Sequence, residues 1–135
     1  MAAILLDTTV LIDALRGRSA ADRIRSLRHR GDSPFTSAIN VEELSRGIKK
    51  GEEKALTRLL RGLRVAPLGF EEGRQAGEWR RRHAARGITL SQADCLIAAA
   101  ALSVDAILAT GNPKDFPMRG VRVDHWPVGE QSHLT

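Results

Sequence analysis

Residues 2–11 read AAILLDTTVL, an aliphatic run that stops at the carboxylate of Asp7 and gives way to two threonines and a new apolar segment. A short run without polar residues is typical of a strand that is buried on both faces, as in a parallel sheet. Thr8 or Thr9 can then cap a helix in which Val10 is the first apolar residue. The start of the chain therefore predicts a buried strand with an acid at its carboxyl end, followed directly by a helix.

Short apolar runs alternate with helical segments along the rest of the chain. The strands are predicted at residues 2–6, 35–36, 65–68, 106–109 and 121–123. A polar helix is predicted at 70–86, with one face that carries Phe70, Ala76, Trp79 and His83. Strands that are joined through helices form a parallel sheet with right-handed crossovers and helices on both faces. We therefore predict an α/β fold, a three-layer α/β/α domain with a short parallel sheet.

Length and composition favour one folded domain. The chain has 135 residues, of which 42% are hydrophobic and 27% charged, so we expect a single domain over 1–135 with a frayed polar tail at 129–135. The lone Cys95 lies in an apolar helix, where inert packing is expected and no disulfide framework can form. No run is long enough to span a membrane, and Asp7 interrupts the first apolar stretch, which argues against a secretory signal. We expect a cytoplasmic protein.

Positive charge is concentrated in the first half of the chain. The net charge is +5, and residues 1–67 hold 13 Lys or Arg against 8 acids. The planar guanidinium binds phosphate through two parallel hydrogen bonds, so a polyanion such as RNA is a plausible partner. The arginines predicted to contact RNA lie in the densest basic stretch: Arg16, Arg18, Arg23 and Arg25. The alternative is a solvated helix face, and charge alone does not decide between the two.

Acidic side chains recur near the predicted carboxyl ends of strands, where parallel sheets bind ligands. The four candidates are Asp7, Glu43, Asp94 and Asp115. Each also has a structural interpretation. Ser91-x-x-Asp94 and Asn40-x-x-Glu43 both have the form of a capping box, Asp7 can cap a helix, and Asp115 can be a turn residue.

Carboxylates that converge within a few ångströms repel one another, which raises at least one pKa unless a cation offsets the charge. Mg²⁺ prefers oxygen ligands and keeps several waters, and such an ion can activate water for attack on phosphorus. The histidines lack the helical spacing of a zinc site: His29, His83, His125 and His133. An acidic centre within a basic protein is therefore coherent with a nuclease.

Four segments, in this order along the chain, resemble a known family. They read LLDTTVLID at 5–13, TSAINVEEL at 36–44, DCLIAA at 94–99 and ATGNPKDF at 109–116. Each motif alone is weak, whereas the ordered set resembles the PIN domain, and specifically the VapC-type toxins of bacterial toxin–antitoxin pairs.

The resemblance implies an endoribonuclease that depends on Mg²⁺ or Mn²⁺. Its catalytic, metal-binding acids correspond here to Asp7, Glu43, Asp94 and Asp115. Glu43 is preferred to Glu42 because the family's acid precedes a leucine, as Glu43 precedes Leu44. Some PIN domains place an acid at the position of Asn112, and the Asn-x-x-Asp-Phe pattern of this chain favours Asp115.

The same resemblance implies a second set of polar residues that orient the carboxylates or hold water: Thr8, Thr110 and Asn112. Asp13 is interpreted as structural or peripheral. An antitoxin that blocks the active groove and a homodimer are also implied.

Two other functions remain open at this point. In a phosphoaspartyl protein Asp7 would be the phosphoacceptor, although a phosphatase of that kind would want a second Asp where Thr9 stands. In a non-catalytic RNA-binding module the arginines would matter and the acids would only cap helices.

Overall fold

The computed structural model describes residues 1–129 of the chain, so the predicted frayed tail beyond Gly129 and His133 lie outside the described residues. Within that range five strands form one all-parallel sheet. They are β1 (Ala3–Leu6), β2 (Ser33–Thr36), β3 (Arg64–Val65), β4 (Ile107–Thr110) and β5 (Val123–His125). Their order across the sheet is β3-β2-β1-β4-β5.

Helices connect most of the strands. They are α1 (Thr8–Leu15), α2 (Ser19–His29), α3 (Ala38–Gly47), α4 (Glu53–Arg61), α5 (Phe70–Ala84) and α6 (Gln92–Ser103). A short 3₁₀ turn, Pro113–Asp115, follows β4. None of the helices in residues 1–129 is long and apolar enough to cross a bilayer.

Two hydrophobic layers enclose the sheet, which makes the predicted three-layer α/β/α fold correct. On one face Leu5 packs with residues of α5 and α6, and on the other Ile4 and Leu6 pack with residues of α1, α2 and α4. Successive strand residues point to opposite faces, so a strand that is covered on both sides needs aliphatic residues throughout. This requirement explains the uninterrupted apolar run that ends at Leu6.

The central strand β1 creates the position of the candidate site. From β1 the chain moves to β2 and β3 on one side, and later to β4 and β5 on the other. Ligand crevices in open parallel sheets form where the strand order reverses in this way, outside the carboxyl ends of the strands. Asp7 continues the ladder there, since its backbone N–H donates to the carbonyl of Ala109 at 2.9 Å.

The structure corrects two details of the sequence interpretation. Phe70 is 81% exposed, whereas Ala76 and Trp79 are buried. Six residues at the helical repeat place Phe70 about 240° around the axis from Ala76, so the prediction was wrong for Phe70, whereas His83 is half-buried. Ser37, not Asn40, caps α3, because its side chain accepts the N–H of Asn40, so the proposed Asn40–Glu43 capping box does not form.

Candidate active site

Asp7 lies at the carboxyl end of β1 and is only 5% exposed. Its Oδ2 accepts hydrogen bonds from Thr110 Oγ1 at 2.7 Å and from Thr9 Oγ1 at 3.2 Å. Burial raises the pKa of Asp7, and the charge of Glu43 raises it further, against the two hydroxyl groups, which lower it. The side chain is therefore a fixed, desolvated carboxyl group beside a second acid.

Glu43 reaches the same region from α3. Its Oε1 accepts the hydroxyl of Thr8 at 2.7 Å, which links α3 to the start of α1. The adjacent Glu42 is exposed and instead pairs with Arg46, with Nε and Oε2 3.1 Å apart. The structure thus places Glu43, and not Glu42, beside Asp7.

Asp94 lies in the first turn of α6, which Ser91 caps by accepting the N–H of Asp94 at 3.0 Å. Partial burial, followed by the negative charges of Asp115, Asp7 and Glu43, raises the pKa of Asp94 to about 6, although a hydrogen bond with Ser91 acts in the opposite direction. The helix direction therefore brings Asp94 to the edge of the sheet where the other three acids lie.

The loop after β4 supplies the fourth predicted acid. Asp115 is exposed at the end of the 3₁₀ turn, and its charge acts on Asp94. The Asn112 side chain is exposed, while its backbone N–H donates to Thr110 Oγ1 at 3.0 Å. Asn112 therefore supports Asp7 through Thr110, and Asp115 is the loop acid that acts on Asp94.

Sequence reasoning missed two side chains of this network. The sequence indicates Thr9 and Asn40 as helix caps, and neither as a part of the network around the acids. Asn40 is fully buried, and its Nδ2 donates to Thr8 Oγ1 at 3.0 Å. For Thr9 a signal was present, since it stands two residues after Asp7 at the end of a buried strand; for Asn40 the contact depends on how α3 packs on α1.

The donor set suits a hard divalent cation. Within the part of the chain that the structure describes, no three His, Cys, Asp or Glu side chains are grouped so as to hold a metal ion unaided. Mg²⁺ is usually held by only one or two carboxylates, with waters and substrate phosphates as its other ligands. The acids around Asp94 offer only oxygen, and the repulsion that raises the pKa of Asp94 is what a cation would relieve. The residues present therefore fit such an ion.

Three of the four arginines predicted to bind RNA already have partners within the protein. These pairs are Arg16 with Glu52, Arg23 with the carbonyl of Pro127, and Arg25 with Asp22. Arg18 is half-buried. Ion pairs at a protein surface are weak, so these contacts do not prevent exchange for a phosphate. The contact of these arginines with RNA stays a prediction.

Asp13 is 1% exposed and accepts the backbone N–H groups of Ala20 at 3.0 Å and Gly129 at 2.8 Å. It thereby fastens the start of α2 and the segment after β5 to α1, a structural role. Cys95 is buried in α6, and burial raises the pKa of its thiol, in keeping with inert packing.

Known proteins are similar to this chain in sequence and fold. The PIN domain model matches residues 4–117. Ribonuclease VapC10 of Mycobacterium tuberculosis is 39% identical over 116 residues, which cover 85% of this chain and 86% of that protein. Ribonuclease VapC19 of the same species is 33% identical over 115 residues, 84% of this chain and 92% of that protein. The structure of VapBC-1 from nontypeable Haemophilus influenzae aligns with a TM-score of 0.77 at 25% identity, over 92% of this chain and 98% of that one. The chain therefore belongs to the PIN-domain family, among its VapC-type members.

Proposed function

We propose that this protein is an endoribonuclease that depends on Mg²⁺ or Mn²⁺ and hydrolyses RNA phosphodiester bonds. The observation that carries the proposal is the position of the acids at one end of a parallel sheet, where threonine hydroxyls hold Asp7 and Glu43 and where the charges of Asp115, Asp7 and Glu43 act on Asp94. The relatives VapC10 and VapC19 are named ribonucleases, which supports the same substrate class.

The four acids divide the work of the site. Asp7, fixed by Thr9 and Thr110, and Glu43, fixed by Thr8, supply oriented oxygens on the inner side. Asp94 and Asp115 complete the acidic set, with Asp115 exposed on the loop after β4. These carboxylates would hold a divalent cation, which would supply an activated water and offset the negative charge on the scissile phosphate. Arginines on the surrounding surface hold the flanking phosphates.

The activity test uses purified protein and total RNA, with Mg²⁺, with Mn²⁺ and with excess chelator. Asp7→Asn and Glu43→Gln should each abolish cleavage while RNA affinity is retained or improved, because removing a carboxylate reduces repulsion of phosphate. Glu42→Gln is the matched control, since it alters the same residue type one position away and leaves the site intact. Mapping the cut ends then defines the cleavage sequence.

The same experiment separates the alternatives. RNA binding with no cleavage under any metal condition would favour a non-catalytic RNA-binding module. Cleavage that persists in Asp7→Asn at the wild-type rate would contradict the assignment of the site. A stable phosphoryl adduct on Asp7 after treatment with a small phosphoryl donor would instead support the phosphoaspartyl interpretation.

We further propose that the protein acts in the cytoplasm as the toxin of a toxin–antitoxin pair and forms a homodimer. The solved relative from Haemophilus influenzae is a VapBC structure, and the VapC-type resemblance supports an antitoxin that blocks the groove. Induced expression should arrest bacterial growth, Asp7→Asn should remove the arrest, and co-expression of the cognate antitoxin should suppress it. Sedimentation of the purified protein measures the oligomeric state.

A further inference from the structure

Three threonine hydroxyls in the site follow one rule, in which each accepts an N–H and donates to a carboxylate oxygen. Thr9 accepts the backbone N–H of Gly111 at 3.0 Å and donates to Asp7. Thr110 accepts the backbone N–H of Asn112 at 3.0 Å and also donates to Asp7. A hydroxyl has one hydrogen, so accepting an N–H from behind directs that hydrogen to the acid.

Thr8 follows the same rule with a different kind of donor. Its Oγ1 accepts Asn40 Nδ2 at 3.0 Å and donates to Glu43 Oε1 at 2.7 Å. Here the N–H comes from a side chain, whereas the two threonines that hold Asp7 receive theirs from the backbone. The support of Glu43 can therefore be removed by a single substitution, without breaking the main-chain geometry of the loop.

Ser37 fixes which end of the Asn40 amide faces Thr8. Ser37 Oγ lies 2.6 Å from Asn40 Oδ1 and donates its hydrogen to that oxygen, while its own lone pairs accept the Asn40 backbone N–H at 3.4 Å. The amide oxygen is thus turned to Ser37, and the amide nitrogen must point to Thr8. The hydrogen bonds run in one direction, from Ser37 through Asn40 and Thr8 to Glu43.

The Asn40 side chain is not required for the helix itself. Ser37 caps α3 through the Asn40 backbone, which any residue except proline could supply. Burying a primary amide is costly unless both of its polar ends are hydrogen-bonded, and an apolar side chain would fill the same space without that cost. The one contact that only the amide can make is the N–H donated to Thr8.

We propose that Asn40, held by Ser37, is a positioning residue. By donating an N–H to Thr8 Oγ1, it directs the hydrogen of the Thr8 hydroxyl to Oε1 of Glu43. The hydrogen bond from Thr8 is made to Oε1, so that Oε2 lies on the other side of the carboxylate, away from this contact. This inference rests on the proposed function, because it concerns the orientation of Glu43, one of the four acids.

The test is a double-mutant cycle between Asn40 and Thr8. Asn40→Leu removes the donor at similar volume, and Thr8→Val removes the hydroxyl. We expect each to lower kcat for a short RNA substrate by about 10–100-fold with KM little changed, the range typical of groups that orient metal ligands. The double variant should be no worse than Thr8→Val alone, since Asn40 acts through Thr8. Thr8→Ser keeps the hydroxyl and should therefore retain the activity that Thr8→Val loses.

Two controls distinguish positioning from damage to the fold. Thr57→Val makes the same substitution in α4, where the hydroxyl is exposed and donates only to the carbonyl of Glu53, and should leave kcat unchanged. Asn40→Leu combined with Thr110→Val should give additive losses, because Thr110 serves Asp7. If Asn40→Leu does not fold, Asn40→Asp replaces it: the carboxylate accepts from Thr8, turns the hydroxyl away from Glu43 and should lower kcat as strongly.

A second readout does not depend on cleavage. Titration of the metal-free protein with Mn²⁺ should show an affinity about 10–100-fold weaker for Asn40→Leu and Thr8→Val than for the wild type. If the wild type binds Mn²⁺ but cleaves no RNA, the proposed function fails. Weaker Mn²⁺ binding by the two variants would then still support the positioning role of Asn40. Additive losses in the Asn40 and Thr8 cycle, or wild-type kcat and Mn²⁺ affinity in a folded Asn40 variant, would overturn it.

Discussion

Asp94→Asn should stabilise the metal-free protein at neutral pH while it removes activity. The pKa of Asp94 rises from 3.8 to about 6 on folding, through partial burial and then the charges of Asp115, Asp7 and Glu43. Each pKa unit corresponds to about 1.4 kcal/mol, so the charged carboxylate costs the folded state at most ~3 kcal/mol. Because the group is only partly buried, solvent screening reduces the cost to about 1–2 kcal/mol. The midpoint of thermal unfolding should therefore rise by about 4–7 °C.

The gain in stability of Asp94→Asn over the wild type must depend on pH in a defined direction. Since the pKa is higher in the folded than in the unfolded protein, the folded state binds more protons between about pH 4 and 6, so wild-type stability falls as pH rises across this window. Above about pH 7 the loss is complete and stays constant. The Asp94→Asn variant has an uncharged amide at this position and carries no such loss. The difference in stability between variant and wild type should therefore grow from near zero at about pH 4 to its full value by about pH 7.

The assay is urea unfolding of both proteins from pH 4 to pH 8 in low salt with chelator. Asp105→Asn is the matched control, because its carboxylate is exposed and pairs only with Arg122 at the surface. Added Mg²⁺ should stabilise the wild type more than the variant, since binding to the folded state offsets the repulsion. A variant that is no more stable than wild type at pH 7, or a gain that does not change with pH, would refute the shared acidic site.

Other expected outcomes follow from single contacts. Asp13→Ala leaves the N–H groups of Ala20 and Gly129 without their charged acceptor and should lower the free energy of unfolding by about 2–4 kcal/mol in urea titration; a loss under about 1 kcal/mol would contradict the structural role. Gly111→Ala would place a Cβ 2.9 Å from Val128 Cγ2 and should reduce cleavage. The double variant Gly111→Ala, Val128→Ala should recover part of the cleavage activity. If it does not, a clash with Val128 is not the cause of the loss. RNA affinity should fall steeply between about 50 and 200 mM salt, roughly tenfold or more, if arginines hold phosphates; a flat response in a filter-binding assay would exclude that contact.

The sequence predicted the parts of the fold that depend on local pattern. A strand buried on both faces must be aliphatic throughout, so the central strand and β4 were predicted to within one residue at each end. The strand β3, at the edge of the sheet, was predicted less accurately: it was expected at 65–68 and is Arg64–Val65. Its limits are set by pairing with β2, where Phe35 lies opposite Arg64 and Thr36 opposite Val65, and not by its own apolar residues.

In the candidate site, too, the features with a local sequence signal were predicted and those that depend on distant contacts were not. The four acids were predicted because each stands at a strand end or in the helix or loop next to one, which is a local signal. The hydroxyls and the amide that support them join residues far apart in sequence: Thr110 and Asp7 are 103 positions apart, and Asn40 and Thr8 are 32 apart. Which hydroxyl faces which acid depends on the register of β1 against β4 and on the packing of α3 on α1, and neither is legible in one chain without its fold.

A position in a capping motif does not conflict with the proposed role of the acids in catalysis. Ser91 caps α6 and Ser37 caps α3 through their hydroxyls. Asp7 stands at the N-cap position of α1, yet its side chain makes no capping bond. Because a serine hydroxyl accepts a backbone N–H at the start of α3 and of α6, the carboxylates of Glu43 and Asp94 are not required for these caps and can contribute to the shared site, although Asp94 also hydrogen-bonds with Ser91. An acid in a capping motif is therefore evidence against catalysis only when no neighbouring hydroxyl can take over the cap.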